Sequence, residues 1–376
     1  MMLMLIGSFF GESNLSGLLK SVGVSNAKIP FWHKISNQML LDWMILLWRD
    51  DFKASYEYLC TKSASTESRW EQTIINDESV FKLWLSERIA SESYGRYFSG
   101  QVHNVVYGLK ISLLGISLND RFYPIDYQLL KKTDKTDAIS IDLLKRLTQW
   151  LQKITPIEKK LHLYLSVDSG YHSSKLIESC QELSITLICV PKNNHLIILD
   201  TETLSIKAIK EKFVEKETEI ATQKQAEKKE NQAEKQEEAF FWRVRGRYKS
   251  LDMDVTLLVF RLNRSKKVSV IYSPNLSIKA KTLRRRWFVR THIEQFFRLL
   301  KHTLKIQQTK SESVDEFLKK FANTAIKALS WMQLRDWLRK KTKNKNMVYI
   351  DICRFIKREI GLQWLRKVEY LGDFSF

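Results

Sequence analysis

The chain has few cysteines, and none of them stands in a metal-binding spacing. The four are Cys60, Cys180, Cys189 and Cys353, and no two form a C-x2-C pair. No histidine cluster lies near them in the sequence, so a structural zinc site is not indicated. A disulfide framework is equally unexpected in a chain of 376 residues. We therefore expect each cysteine to be a small buried apolar side chain.

Long apolar runs are also missing. No stretch approaches the ~18 apolar residues that a membrane span requires. The N-terminal run MMLMLIGSFFG is apolar but short, with neither a basic segment before it nor a small-residue cleavage site after it. We expect a protein of the reducing cytoplasm with no membrane partner.

What the chain has in excess is positive charge. Its net charge is +20 at a hydrophobic content of 44%, and its length allows two or three domains. Such an excess favours polyanions through counterion release. Ribosomal and membrane-surface proteins are equally basic, so charge alone favours nucleic acid without establishing it.

Acidic residues almost vanish between residues 279 and 310, where Glu294 is the only one. The cations there are Lys279, Lys281, Arg284, Arg285, Arg286, Arg290, Arg298, Lys301, Lys305 and Lys310. A lone acid in this surrounding suggests a metal ligand held beside a polyanion. The alternative is a solvated basic helix face with i,i+4 Glu–Arg pairs.

The stretch from Trp287 to Lys301 is predicted to form one amphipathic helix. Arg290 lies one turn before Glu294, Arg298 lies one turn after it, and Lys301 lies two turns after it on the same face. The opposite face is apolar and consists of Ile293, Phe296, Phe297 and Leu300.

Strand and helix patterns alternate from residue 69 to residue 195. Strands are predicted at 70–75, 105–116, 122–130, 161–167 and 184–190, and helices at 137–154 and 173–183. The order β-β-β-α-β-α-β, followed after an insert by the Glu294 helix, is the ribonuclease-H-like order. Asp77 and Asp168 would then be neighbours on adjacent parallel strands.

The insert and the two ends have their own patterns. Residues 207–238 alternate Lys and Glu without Gly or Pro, which predicts a solvated helix or a disordered arm. Strands at 240–248, 255–262 and 267–273 predict a small antiparallel sheet. Arg243, Arg245 and Arg247 alternate on the first of these strands and would face one run of phosphates. Residues 1–68 and 312–376 have helical patterns.

Two motifs resemble those of a known family. The spacing Trp287-x2-Arg290-x3-Glu294-x6-Lys301 resembles the Tyr-x2-Arg-x3-Glu-x6-Lys signature of one group of bacterial insertion-sequence DDE transposases. Val167-Asp168-Ser169-Gly170-Tyr171 is similar to the motif around the second Asp of that family. Trp287 departs from the usual Tyr; it keeps the flat ring and replaces the phenol O–H by an indole N–H donor.

The resemblance implies an α/β, ribonuclease-H-like catalytic core with a β-rich insert and helical N- and C-terminal regions. It implies Asp77, Asp168 and Glu294 as catalytic ligands of two Mg²⁺ (or Mn²⁺) ions. The residues that would contact DNA are Trp287, Arg290, Arg298, Lys301, Arg243, Arg245 and Arg247. The predicted segments are 1–68, 69–195, 196–278, 279–311 and 312–376, the first with a possible role in binding DNA ends.

The first acid is the least certain of the three. The family often has an Asp-Asp pair or Asp-x-Thr here, and this chain has Asn76-Asp77-Glu78-Ser79. Glu78 and Asp120 therefore stay open as alternatives to Asp77.

The function that the resemblance implies is transposition by metal-dependent DNA cleavage and strand transfer. The expected partners are double-stranded DNA, as element ends with terminal inverted repeats and as target, and a second copy of the chain in the DNA complex. The expected location is the bacterial cytoplasm, associated with the nucleoid. The alternatives are a nuclease of the same fold without joining activity and a catalytically dead copy that only binds DNA.

Overall fold

A computed structural model describes residues 37–62, 70–82, 94–99, 103–118, 121–155, 161–227, 241–261, 267–304, 306 and 313–342. The helices are α1 Asn37–Lys62, α2 Thr136–Ile154, α3 Ser174–Glu182, α4 Ile206–Glu227, α5 Ala280–Phe288, α6 Thr291–Arg298 and α7 Val314–Thr342. The strands are β1 Trp70–Lys82, β2 Tyr94–Ser99, β3 Asn104–Leu118, β4 Arg121–Leu130, β5 Leu161–Val167, β6 Ile185–Cys189, β7 Leu196–Leu199, β8 Glu202–Ser205, β9 Phe241–Tyr248, β10 Met253–Arg261 and β11 Val268–Ser273. No helix in these ranges is both long and apolar enough to cross a membrane.

The chain divides into two compact units. One contains Met1–Asp51, Phe81–Leu109 and Gln295–Phe376, and the other contains Phe52–Val80 and Lys110–Glu294. We call the second the sheet unit. All three predicted catalytic acids belong to the sheet unit. The five segments expected from the sequence stay a prediction.

The sheet unit is built on a mixed sheet. Its strand order starts β4-β3-β1-β5-β6, with β1, β5 and β6 parallel and β3 antiparallel to β4. This order fits the ribonuclease-H-like arrangement expected from the sequence. Helix α2 lies beside β4, and its buried face includes Leu143, Leu144, Leu147 and Leu151.

Strand β1 is longer than predicted. The sequence predicts that it ends near Ile75, but it continues to Lys82. Asp77 therefore lies inside a strand instead of in a loop after it. The polar run from Asn76 to Ser79 hides this extension, because polar residues normally mark the end of a strand. Strand β2 was also not predicted. It pairs with the first part of β3, and both of these segments belong to the unit other than the sheet unit.

The β-rich insert extends the core sheet, so the expectation of a separate small sheet was wrong. Strand β11 pairs antiparallel with β6 at Tyr272 and Cys189, and the order continues β11-β10-β9-β7-β8. Strands β7 and β8 each contain four residues, too few for a sequence pattern to stand out. The predicted strands β9, β10 and β11 are confirmed.

Helix α4 covers most of the Lys/Glu-rich segment and is not solvated throughout. Ile206, Ile209 and Phe213 are fully buried, and the helix packs on β8 and β11. Glu217 forms an ion pair with Arg261 of β10 at 2.5 Å. The prediction of a solvated helix was therefore wrong for the first turns of α4, because three apolar side chains at helical spacing suffice to dock it.

Buried side chains account for the remaining helices as well. In the unit that contains α7, Phe317 and Phe321 pack against Phe81. Their ring centroids lie 5.6 and 5.7 Å from that of Phe81, respectively.

Cys180 and Cys189 are free and buried, as expected. Residues 1–36, which include part of the predicted N-terminal helical region, lie outside the described residues.

Candidate active site

One face of β1 carries acids that meet Arg286 of α5 and Arg290 of the turn between α5 and α6. Side chains alternate along a strand, so Glu71, Thr73 and Asp77 share a face. Arg286 of α5 contacts Glu71 and donates to Thr73 Oγ1 at 3.2 Å. Arg290, four residues further on, contacts Asp77. The strand and the helical segment thus meet through successive ion pairs.

Asp77 and Asp168 come together through the parallel pairing of β1 with β5. The paired residues end at Ile75 and Ser166, so two more residues along each chain bring Asp77 beside Asp168. Asp168 caps the short 3₁₀ turn that follows β5, and its Oδ1 accepts a hydrogen bond from the Gly170 N–H at 2.6 Å. This bond occupies one of the two carboxylate oxygens of Asp168. Capping and ligand binding are therefore compatible at Asp168.

Glu294 comes from the first turn of α6. The predicted continuous helix is interrupted before it, because α5 ends at Phe288 and α6 begins at Thr291. Backbone bonds of the i→i+3 type join them: Arg290 N–H donates to Trp287 O at 3.0 Å and Ile293 N–H to Arg290 O at 3.2 Å. A carboxylate in the first turn also interacts favourably with the helix dipole.

Arg290 links two of the three acids. One guanidinium nitrogen lies 3.4 Å from Asp77 Oδ2, and the other lies 2.5 Å from Glu294 Oε1. The guanidinium carbon is 4.9 Å from the centre of the Trp287 ring, in a cation–π contact. The i,i+4 Glu–Arg pair considered from the sequence thus exists, and its arginine also contacts Asp77 on β1.

The acids are electrostatically coupled. Burial raises the pKa of Asp77 to about 7; Arg290 opposes this rise, and the charges of Asp168 and Glu294 add to it. The side chain of Asp77 is 18% exposed. The sequence argument expected repulsion among gathered carboxylates to raise a pKa; the direction is confirmed, but burial is the larger cause.

The opposite face of β1 carries Glu78, the alternative to Asp77 as the first acid. Glu78 forms an ion pair with Lys110 on the neighbouring strand β3. Asn76, on the same face as Glu78, donates to Ser140 Oγ at 2.8 Å and accepts from Ser112 Oγ at 3.0 Å. The ion pair uses Glu78 Oε2, whereas Glu78 Oε1 is buried and has no hydrogen-bond partner among the described residues. Glu78 therefore stays open as an alternative to Asp77. Asp120 lies outside the described residues.

A second ion-pair cluster, which no sequence pattern predicted, stabilises the start of β1. Arg285 contacts Glu71 at 3.0 Å, and Arg286 contacts the same carboxylate. Burial alone would raise the pKa of Glu71, but the hydrogen bond and charge of Arg286, with the charge of Arg285, lower it. Arg286 also lies over the ring of Tyr164 on β5, 4.8 Å from its centre. The cluster fixes α5 on the sheet.

The turn after Asp168 is fixed from the insert side. The Cys189 thiol donates to the Asp168 carbonyl at 3.2 Å. His172 Nδ1 lies 2.7 Å from the Tyr272 hydroxyl of β11. Burial, with the charges of His195 and Lys192, lowers the pKa of His172 to about 4. This neutral histidine connects the strand of the insert to the loop that carries Asp168.

The other predicted DNA contacts are spread over the chain. Arg243, Arg245 and Arg247 are exposed and alternate along β9 as expected. The first two donate to the Leu276 carbonyl at 2.9 and 3.3 Å, and Arg247 pairs with Asp252 at 2.9 Å. These bonds leave the three side chains on an exposed strand face.

Trp287, Arg298 and Lys301 have different surroundings. Trp287 is partly buried against the apolar cluster around Leu283 and Phe260. Arg298 is exposed at the end of α6, and Lys301 lies in a π-helical turn, Leu299–Thr303. The Lys301 ammonium is 5.0 Å from the Phe81 ring centre. Both cations belong to the unit that excludes Glu294, so their expected role beside the acids stays a prediction.

The donor set suits a hard divalent cation. Asp77, Asp168 and Glu294 offer carboxylate oxygens, which Mg²⁺ and Mn²⁺ prefer. Within the described ranges, no three acidic, histidine or cysteine side chains are close enough to enclose a metal ion as they stand. Arg290 lies between two of the acids and keeps them paired to itself. The three acids therefore have suitable ligand atoms for a metal ion, but their carboxylates would have to move closer together to bind one.

Replacing Asp77 by asparagine should stabilise the metal-free protein more at pH 8 than at pH 5. The folded-state pKa of about 7 lies above the ordinary 3.8, so the folded state keeps a proton that the unfolded state has lost. The stability of the unmodified protein therefore falls as pH rises from about 4 to about 7. The free energy of unfolding of the variant, relative to that of the unmodified protein, should therefore rise by about 3 kcal/mol between pH 5 and pH 8. The rise is about 1.4 kcal/mol per pH unit over the roughly two units between pH 5 and the folded-state pKa.

Urea denaturation with EDTA across this pH range measures the difference. Glu71→Gln is the control of opposite sign. The pKa of Glu71 is lowered by Arg286 and Arg285 against the effect of burial, so its charge stabilises the fold above its unfolded pKa. That variant should lose stability at pH 5 to 8 and approach the unmodified protein as pH falls below about 4. An Asp77→Asn effect that is equal at pH 5 and pH 8 would contradict a proton held on Asp77.

Comparison with known proteins identifies the family. The profile described as Transposase DDE domain matches residues 104–328, more than half of the 376 residues. The match includes Asp168 and Glu294 and begins after Asp77. No curated protein matches the chain.

A solved structure that shows similarity is the cryo-EM structure of piggyBac transposase synaptic complex with hairpin DNA. The TM-score is 0.38 at 12% identity, over 80% of this chain and 56% of that chain. The chain thus spans little more than half of that protein, and a likeness this loose carries no argument. The profile match is sufficient by itself: the chain belongs to the transposase DDE-domain family.

Proposed function

We propose that this protein cuts DNA at the ends of a mobile element and transfers the cut strand to target DNA. The observation that supports this most is the convergence of Asp77 from β1, Glu294 from α6 and Asp168 from the turn after β5. Arg290 contacts two of these acids, and the charges of the other two, Asp168 and Glu294, act on the Asp77 carboxyl. The proposed core is ribonuclease-H-like, in agreement with the strand order.

The three acids would hold two Mg²⁺ or Mn²⁺ ions. Metal ions at such a site activate an oxygen nucleophile and stabilise the leaving 3′-oxygen. The pairing of β1 with β5 supports a position of Asp77 beside Asp168, and Glu294 would join them from the first turn of α6. Rigid elements of this kind suit a reaction that depends on the alignment of a phosphate.

The DNA ligands would be double-stranded element ends with terminal inverted repeats, and target DNA. The exposed arginines of β9, Arg243, Arg245 and Arg247, supply one phosphate-binding face. Near the acids Arg290 would bind the phosphate that is cut, with Trp287 stacked on its guanidinium. Arg298 and Lys301 are further candidates from the signature. A homodimer would synapse two ends, in a nucleoid-associated bacterial protein.

Two alternatives remain open to experiment. A metal-dependent nuclease of the same fold would cleave end DNA but form no joined product. A catalytically dead copy would bind DNA and neither cleave it nor bind metal. A strand-joining assay with pre-cleaved ends separates the first alternative from transposition, and metal binding separates the second.

Asp168→Ala and Glu294→Ala should each abolish cleavage of end DNA in Mg²⁺ and leave end binding largely intact. Binding to DNA rests on cations, so the loss of an acid from a basic surface should not weaken it. Asp126→Ala, which removes an acid paired with Arg146 at 2.8 Å, is the control and should cleave normally if it folds. Near-normal cleavage by either site variant would show that the residue is not a metal ligand.

Arg243→Ala and Arg245→Ala should each reduce the salt dependence of end binding by about one unit of the log–log slope, since each removes about one phosphate contact. Arg247→Ala should have a smaller effect, because Asp252 already pairs with Arg247. Fluorescence anisotropy with labelled end DNA at several salt concentrations measures the slopes. Unchanged slopes for Arg243 and Arg245 would remove the β9 face from the DNA interface.

A further inference from the structure

Arg290 is bound where a divalent cation would be expected. Its guanidinium bridges Asp77 Oδ2 at 3.4 Å and Glu294 Oε1 at 2.5 Å, and its side chain is 18% exposed. The side chain of Asp77 is 18% exposed and that of Glu294 is 46% exposed. The largely buried Asp77 carboxylate needs a counter-charge, since an unpaired buried charge is costly. Arg290 supplies that charge and pairs with the exposed Glu294 at the same time.

The neighbouring arginine of the same helical segment shows what a purely structural pairing looks like. Arg286 is 12% exposed, contacts Glu71 and Thr73, and lies over the Tyr164 ring. Its acid belongs to no proposed metal site, so nothing competes for Arg286. Arg290 differs, because both of its acids are proposed metal ligands.

Arg290 also has a contact that does not depend on the acids. The Trp287 ring lies 4.9 Å from the guanidinium carbon, and it comes from the preceding helix α5. A planar guanidinium can keep an aromatic contact while it changes its hydrogen-bond partners, and it binds phosphate as readily as carboxylate. Arg290 is therefore able to leave the acids without leaving the site.

We propose that Arg290 is an exchangeable counter-ion, which neutralises Asp77 and Glu294 in the metal-free protein and moves to a DNA phosphate when divalent cations bind. This inference rests on the proposed function, because it requires that the acids bind metal. It adds a competition that the proposed function alone does not require: the metal ions and the Arg290 guanidinium compete for the same carboxylate oxygens.

The exchange makes metal binding and DNA binding mutually reinforcing. A phosphate that takes the guanidinium frees the carboxylates for metal, and a metal that takes the carboxylates frees the guanidinium for phosphate. Because linkage is reciprocal, each ligand must raise the affinity of the other by the same factor. The site would thereby load fully only on DNA.

Mn²⁺ titration followed by electron paramagnetic resonance tests the competition without any cleavage assay. The samples are the unmodified protein, Arg290→Gln and Arg285→Gln, at pH 8, where Asp77 with its pKa of about 7 is ionised. Arg285→Gln is the matched control: it removes the same charge from an exposed residue that pairs with Glu71. Near-ultraviolet circular dichroism confirms that each variant is folded.

Without DNA, Arg290→Gln should bind Mn²⁺ about tenfold more tightly than the unmodified protein, because one charged hydrogen bond of ordinary strength no longer competes. Arg285→Gln should change the affinity about twofold or less. Equal effects of the two variants would reduce the result to general charge and overturn the exchange. Weaker binding by Arg290→Gln would show that the arginine holds the acids in place for metal.

The second part of the experiment repeats the Mn²⁺ titration with uncleaved end DNA present. The gain in Mn²⁺ affinity on DNA binding should be about tenfold larger for the unmodified protein than for Arg290→Gln. An equal gain in both would overturn the transfer of Arg290 to phosphate.

Asp168→Asn, measured in parallel, separates failure of the exchange from failure of the proposed function. Mn²⁺ affinity that survives in Asp168→Asn, or no Mn²⁺ binding by any variant with or without DNA, would overturn the metal site and the exchange with it. Binding that is lost in Asp168→Asn but unaffected by Arg290→Gln would overturn the exchange alone.

Discussion

The ion pairs between one face of β1 and the α5–α6 segment are the contacts on which the candidate site depends. Alternation along the strand gives Glu71, Thr73 and Asp77 a common face, and Arg286 and Arg290 meet them from the helical segment. Without these arginines the face would hold partly buried carboxylates that lack a counter-charge, which is destabilising. The same pairs set the position of α6 and hence of Glu294.

The two pairings serve different ends. The Glu71 cluster has a carboxyl whose pKa is lowered in spite of burial, as in a stabilising ion pair. At Asp77 the balance is reversed, because burial and the neighbouring acids outweigh Arg290 and raise the pKa to about 7. A carboxyl whose pKa is raised by burial and by neighbouring acids is typical of functional sites.

Sequence patterns predicted the helices and strands whose apolar residues recur with a clear period. The buried strand that delivers Asp168, the capped helix after it and the amphipathic helix from Thr136 all follow from local residue order. Adjacent parallel strands then placed Asp77 beside Asp168. The apolar face of the Glu294 helix is likewise buried, with Ile293 and Phe296 almost fully so.

The features that the sequence did not predict depend on long-range contacts. The extension of β1 past Ile75 contains polar residues whose partners, Ser112, Ser140 and Lys110, are distant in the chain. The break before Thr291 has no proline or glycine to mark it, and it shows only in the i→i+3 bonds around Arg290. The continuity of the insert with the core sheet rests on one residue pair between β6 and β11. Periodicity carries no information about such partners.

Anomalous diffraction from crystals grown with Mn²⁺ and end DNA would test the central claim most directly. The account predicts anomalous peaks bound by the carboxylates of Asp77, Asp168 and Glu294, with the Arg290 guanidinium on a phosphate instead of between the acids. Peaks at other residues, or a metal held by Glu78 in place of Asp77, would contradict it.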